Sequence, residues 1–132
     1  MKLAVDSSVL LAIFNGESGA GRWMESLIEG RRQAQLVVCD VVYAEISPAF
    51  PSKDDLDEVL EKLGARFEPV SSEACWLAGQ TFRAYRRAGG PRKHLIPDFL
   101  VAAHAQIQAD KLAAIDRGYY REYFPALPLL TT

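Results

Sequence analysis

The sequence predicts an α/β fold with a parallel central sheet of about five strands flanked by helices. Short apolar runs without polar alternation recur along the chain, as in Lys2–Val5 and Leu36–Cys39, and longer stretches of helical periodicity separate them. Unbroken apolar strands of that kind belong to parallel sheets covered on both faces. The 132 residues, 49% hydrophobic and 24% charged, make a single domain, 1–132, large enough to fold on its own core.

The opening run 2–5 is a strand, ended by Asp6-Ser7-Ser8 at a helix start, and Val9–Phe14 continues as helix to the break at Asn15-Gly16. A helix over about 18–30 places Trp23, Leu27 and Ile28 on one face. Residues 35–39 form the second strand, and Asp40 is placed to cap the helix carrying Tyr43, Glu45 and Ile46, which Pro48 and Pro51 interrupt. Ser52 starts an amphipathic helix with Leu56, Val59, Leu60 and Leu63 inward, closed by Gly64. Residues 66–70 are a third strand, followed by a long helix capped near Ser71, with Cys75, Ala78, Phe82 and Tyr85 as its core stripe. Pro97-Asp98 opens an almost wholly apolar helix, Phe99–Ala105, expected to be central. Strands over 111–115 and 127–130 complete the set.

Several classes are excluded. The apolar run Val9–Phe14 is far below the ~18 residues of a membrane span. Asp6 arrives too early for the apolar region of a secretory signal, so a cytoplasmic setting is expected. Cys39 and Cys75 lie in apolar contexts without metal-ligand spacing and read as buried free thiols. A dinucleotide-binding turn needs glycines that Asp6-Ser-Ser-Val does not supply, and a haloacid-dehalogenase-type phosphatase needs a second Asp where Ser8 stands.

Charge is distributed unevenly. The net charge is −2, yet no acid lies between Glu73 and Asp98, a span holding Arg83, Arg86, Arg87, Arg92 and Lys93 with His94 beside them. That stretch can offer one anion-attracting surface.

Acids stand where an open parallel sheet places its ligands, outside the carboxyl ends of strands. Asp6 follows the first strand, Asp116 follows the fourth, Asp98 begins the most apolar helix, and Glu45 sits among Val41, Val42, Tyr43, Ala44 and Ile46. Carboxylates about 5 Å apart repel by roughly 3 kcal/mol at an effective dielectric near 20, so a convergent set calls for a divalent cation. Oxygen donors without His or Cys favour Mg²⁺ or Mn²⁺ over zinc, and such a site can lower the pKa of a bound water and clamp a phosphate for in-line displacement. Taken singly, Asp6 also reads as a helix cap and Asp98 as a first-turn acid.

Four stretches then resemble the PIN-domain ribonucleases, in particular the VapC-type toxins of toxin–antitoxin pairs. They are Val5-Asp6-Ser7-Ser8-Val9-Leu10, Asp40-Val-Val-Tyr-Ala-Glu45, Ile96-Pro97-Asp98-Phe-Leu-Val-Ala-Ala-His104-Ala105 and Ile115-Asp116-Arg117-Gly118-Tyr119-Tyr120. The resemblance implies a three-layer PIN-like fold and a Mg²⁺- or Mn²⁺-dependent endoribonuclease. In it Asp6, Glu45, Asp98 and Asp116 match the acidic quartet, and Ser7 matches the hydroxyl residue that supports the first acid. It further implies a homodimer, a cognate antitoxin whose Arg or Lys pairs with the quartet, and an RNA substrate whose backbone would be met by the basic stretch of Arg83, Arg86, Arg87, Arg92 and Lys93. Where the family often has a Thr before the last acid this chain has Ala114, and water or Ser7 is expected to take over the missing hydroxyl. A non-catalytic binding module of the same fold and a housekeeping RNA-processing nuclease remain the alternatives. His104 is expected to be a hydrogen-bonded core residue, Trp23 and Trp76 to be packing residues, and Tyr119, Tyr120, Tyr123 and Phe124 to pack in the core and its turn.

Overall fold

The computed structural model describes residues 1–91, 96–115 and 118–130. Within them lie strands β1 (Lys2–Val5), β2 (Gln35–Cys39), β3 (Ala65–Glu68), β4 (Lys111–Ala113) and β5 (Leu129–Leu130), and helices α1 (Ser7–Phe14), α2 (Ala20–Gly30), α3 (Asp40–Ile46), α4 (Lys53–Leu63), α5 (Ser72–Arg87), α6 (Ile96–Gln108) and α7 (Tyr119–Tyr123). A 3₁₀ turn, Ser47–Ala49, absorbs Pro48 after α3.

The strands form one parallel sheet in the order β3-β2-β1-β4-β5. The chain moves outward from β1 to β3, then returns to set β4 beside β1, so the order reverses between β1 and β4. Ligands in open α/β sheets bind at that reversal, beyond the carboxyl ends of the strands. The right-handed crossover rule for parallel strands, applied to this order, assigns α1–α4 to one face of the sheet and α5–α6 to the other. The α/β class and the five strands follow the sequence reading.

Local chemistry explains the element ends. Ser52 and Ser71 accept the amide hydrogens of Asp55 and Ala74, capping α4 and α5 as expected. Gly64 closes α4 with φ +83°, a conformation that L side chains rarely adopt. β3 stops at Glu68 because Pro69 has no N–H to continue the ladder. β4 ends at Ala113, opposite Val5, and the Asp6 amide donates to the Ala113 carbonyl at 2.9 Å as β1 turns into α1. Asp40 differs from its expected role as a cap. It is the first residue of α3, and its Oδ1 accepts amide hydrogens from Val41 and Val70, both at 3.2 Å.

The core is the sheet's Leu3, Val5, Leu36, Val37, Val38 and Leu112 with Leu10, Leu27, Leu56, Tyr85 and Phe99 from the helices. Two expectations on α5 are corrected. Its buried stripe is Ala74, Ala78 and Tyr85, so Cys75 is exposed, although Cys39 is buried. Either stripe satisfies the helical period, and the small Ala74 sits where α5 and α6 run close together. Trp76 is 71% exposed and is not a packing residue, whereas Trp23 is buried in the core. His104 is buried as expected, with Nε2 3.0 Å from Oε1 of Glu68.

Candidate active site

Asp6 leaves β1 at its carboxyl end and precedes α1, which places it at the β1–β4 reversal. It is buried, and among the described residues neither Asp6 nor Glu45 has a Lys or Arg partner. Burial pushes the Asp6 carboxyl above its ordinary range; the Ser8 hydroxyl, the Ser7 and Ser8 amides and the Tyr120 hydroxyl pull the other way. The Ser8 Oγ–H donates to Oδ2 of Asp6 at 2.6 Å, and the same oxygen accepts the Ile115 amide hydrogen at 3.2 Å.

Glu45 reaches the same neighbourhood from the last turn of α3 and stays exposed. Partial desolvation raises its carboxyl, and the negative charges of Asp6 and Asp98 push it the same way, with the Ser7 hydroxyl opposing. Ser7 Oγ donates to Oε1 of Glu45 at 3.2 Å. Ser7 therefore serves the second acid of the proposed set, and Ser8 serves the first. The shift follows from the helix start: Ser8, two residues beyond Asp6, is in reach of its carboxylate, as local side-chain hydrogen bonds at such spacings commonly are.

Asp98 sits in the first turn of α6, half-buried. Its position is fixed by the next residue. Phe99 is fully buried and takes the rings of Phe82 at 5.2 Å and Tyr119 at 5.3 Å edge-on. Tyr85 and Tyr123 pack edge to face at 4.8 Å in the same cluster, so the tyrosines act in packing as expected. Tyr120 adds a polar function. It is buried, its hydroxyl meets Asp6, and burial and then the Asp6 charge raise its pKa strongly.

The structure thus brings Asp6, Glu45 and Asp98 into one electrostatic neighbourhood, while Asp116 lies outside the described residues. Among the described residues no three Asp, Glu, His or Cys side chains close into a metal-holding cluster. Ser8 and Tyr120 are site residues that the sequence reading missed. The only signal for Ser8 was its spacing from Asp6; Tyr120 carried none beyond its place in an aromatic run.

Arg83 and Arg87 are exposed on α5. Arg86 is half-buried and donates from Nη1 to the Gly90 carbonyl at 2.6 Å, closing its own helix end. Arg92, Lys93 and His94 lie outside the described residues. Cys39 sits behind the site at the end of β2, its thiol pushed up to about 11 by burial, which keeps it an inert core thiol.

The PIN-domain family model matches residues 3–124. The chain belongs to the PIN-domain family. It is 28% identical over 117 residues to VapC ribonuclease Mb2780c of Mycobacterium bovis and equally to ribonuclease VapC42 of Mycobacterium tuberculosis, covering 83% of this chain and 87% of each relative. Among solved structures it is similar to VapBC2 from Rickettsia felis bound to a promoter DNA fragment, with TM-score 0.77 and 16% identity over 99% of this chain and 98% of that one. It is likewise similar to VapBC-1 from nontypeable Haemophilus influenzae, with TM-score 0.72 and 18% identity over the same shares. The PIN fold expected from the sequence is thereby established.

Proposed function

We propose that this PIN-domain chain is a Mg²⁺- or Mn²⁺-dependent endoribonuclease, the toxin of a toxin–antitoxin pair, acting as a cytoplasmic homodimer with RNA as substrate and a cognate antitoxin as partner. The observation that carries the reading is Asp6: a buried carboxylate with no basic partner among the described residues, near two further acids at the sheet's reversal point. An anion in that setting is costly unless a cation meets it. The names of the relatives as VapC ribonucleases, and of structural neighbours as VapBC assemblies, support the substrate and the partner.

The donors fit a hard divalent ion, being carboxylate oxygens without sulfur or imidazole among them. Asp6 and Asp98 would hold it, with Glu45 at the open side and Asp116 as the fourth acid that the family resemblance assigns. When bound, the ion supplies Lewis-acid stabilisation of the charge that develops on the phosphate and lowers the pKa of water. The chain's own contribution is placement. Ser8 and Tyr120 fix the Asp6 carboxylate, the Phe99 cluster fixes Asp98, and Ser7 holds Glu45 at the solvent side. In the net reaction a water oxygen bonds to phosphorus, the bond to one ribose oxygen breaks, and that oxygen leaves with a proton. An antitoxin Arg or Lys placed at Asp6 and Glu45 would satisfy the same negative charge.

The test is RNA cleavage by the purified chain in Mg²⁺, Mn²⁺ and EDTA beside Asp98→Asn. Metal-dependent internal cuts that vanish in the variant are expected. Equal cleavage by both proteins, or none in either metal, overturns the reading.

A further inference from the structure

The exposed face of α5 carries an unexplained aromatic. Trp76, Gln80, Arg83 and Arg87 fall at positions i, i+4, i+7 and i+11, which form one stripe on a helix, and all four are exposed. Trp76 is 71% exposed, and no aromatic ring among the described residues packs on it. Beside the two arginines lies a shallow depression of about 500 Å³ lined by Gln80, Arg83, Ala84, Arg87 and Ala88. Glu73, one turn before Trp76, bounds the stripe at its far end; from there no acid follows until Asp98.

The stripe has a direction. α5 runs antiparallel to α6: the Ser71 amide donates to Oε1 of Gln108 at the end of α6, and Tyr85 packs 5.4 Å from Phe99 beside Asp98. Arg87 therefore stands at the acidic end of the domain, and Trp76 stands about 16 Å further along the helix. A surface that sets cationic side chains in line with an aromatic face is how single-stranded nucleic acid is held without base reading: arginines neutralise phosphates and a base stacks on the ring. We propose that this face of α5 is a single-stranded RNA track, with Trp76 as the stacking platform for a base remote from the scissile phosphate. The inference rests on the ribonuclease reading and adds a substrate contact that sequence analysis assigned to packing.

The test uses the Asp98→Asn chain, which holds RNA without cutting it, titrated with a 12-nucleotide single-stranded RNA of mixed sequence. The chain has two tryptophans; Trp76 is the exposed one that a stacked base can quench, and the emission of buried Trp23 is taken from the Trp76→Phe chain and subtracted. Quenching of that emission on RNA binding is expected. Trp76→Ala in the same background is expected to bind about 5- to 160-fold more weakly, the range one stacked base is worth. Its melting temperature should stay within about 2 °C, since the side chain is at the surface. Trp76→Phe should recover most of the affinity and none of the quenching.

Unchanged affinity in Trp76→Ala overturns the proposal. So does a Trp76→Ala chain that loses a dimer in sedimentation while each chain binds RNA as before, which assigns the face to a second copy. If the native chain cleaves RNA while Trp76→Ala binds like its parent, this inference alone fails. If the native chain neither cleaves nor binds RNA, the nuclease reading fails and this one with it.

Discussion

Ser8 and Asp6 form a short polar link: the serine Oγ donates to Oδ2 of the aspartate at 2.6 Å, and the same Oγ accepts the Ile115 amide hydrogen at 3.2 Å. One hydroxyl thus joins the first acid to the segment just beyond β4. Ala114 carries no hydroxyl of its own, and Ser8 supplies the link from the other side of the β1–β4 seam.

Removing that oxygen has two consequences that separate experimentally. Ser8→Ala leaves the Ile115 amide without this acceptor and Asp6 without its donor, a loss of about 1–3 kcal/mol in stability. Partners of this kind around a metal site are worth roughly 10- to 100-fold in metal affinity or activity. Cleavage rate and the Mn²⁺ concentration that half-saturates a thermal-shift titration should therefore both worsen in Ser8→Ala. Ser8→Thr, which keeps the oxygen, should restore both. A variant with native Mn²⁺ dependence would remove Ser8 from the site.

Asp6 predicts a trade of stability against function. Its folded carboxyl is raised by burial, so its contribution to stability is present below the ordinary value of 3.8 and is lost as pH rises through the folded value. Glu45 is raised as well, with the same sign. At neutral pH without metal, Asp6→Asn should therefore be more stable than the native chain, by about 0.5–2 kcal/mol, the usual gain on relieving such a group. Mg²⁺ or Mn²⁺ should raise the melting temperature of the native chain more at pH 8 than at pH 5, and should not raise that of Asp6→Asn. Calorimetry across that pH range decides it.

The exposed arginines give a prediction in salt. Each phosphate neutralised on a single strand contributes about −0.7 to the slope of log K against log salt. Arg83→Gln with Arg87→Gln should flatten that slope by about 1.4, while Arg86→Gln, whose guanidinium closes its own helix at Gly90, should change stability more than slope. Fluorescence anisotropy of labelled single-stranded RNA between low and moderate salt measures both.

The sheet and most helices were legible because their signals are local: unbroken apolar runs for β1 and β2, Ser52 and Gly64 for the ends of α4, Pro97-Asp98 for the start of α6. The shared neighbourhood of Asp6, Glu45 and Asp98 was legible because acids at strand ends and in apolar helices are conspicuous. Cys75 was misplaced because Ala74 and Cys75 both fit a helical stripe through Ala78 and Tyr85, and the structure buries Ala74; Trp76, outside that stripe, was misplaced because a large apolar ring is expected inside whatever its face. Tyr120 packs as expected, and its contact with Asp6 had no signal because an aromatic run shows where a ring packs and not where its hydroxyl points.

His104 provides the last prediction, on the far side of α6 from the acids. Its Nε2 meets Oε1 of Glu68 at 3.0 Å; Lys2 Nζ meets Oε2 at 2.6 Å, and Gln108 Nε2 donates to the neighbouring Pro69 carbonyl at 3.0 Å. Burial lowers the His104 pKa below its ordinary 6.5, with Glu68 only partly offsetting this. The neutral ring therefore donates from Nε2. For Glu68 burial acts upward, yet Lys2 and His104 together hold the carboxyl below 4.5. Both shifts have one sign. Each group contributes stability above its unfolded value and loses it as pH falls through the folded one, first His104 below about 6.5 and then Glu68 below about 4.5. These two groups should thus subtract from the unfolding free energy in two overlapping stages as pH falls from 7 to 4, against the opposite contribution of Asp6 and Glu45, so the upper stage is read as the difference between the native chain and a His104 variant. His104→Gln, which keeps a donor without a titrating ring, should flatten the upper stage and leave the lower one. Urea unfolding at intervals across that range is the measurement, and an upper stage that persists in the variant would assign it to another group.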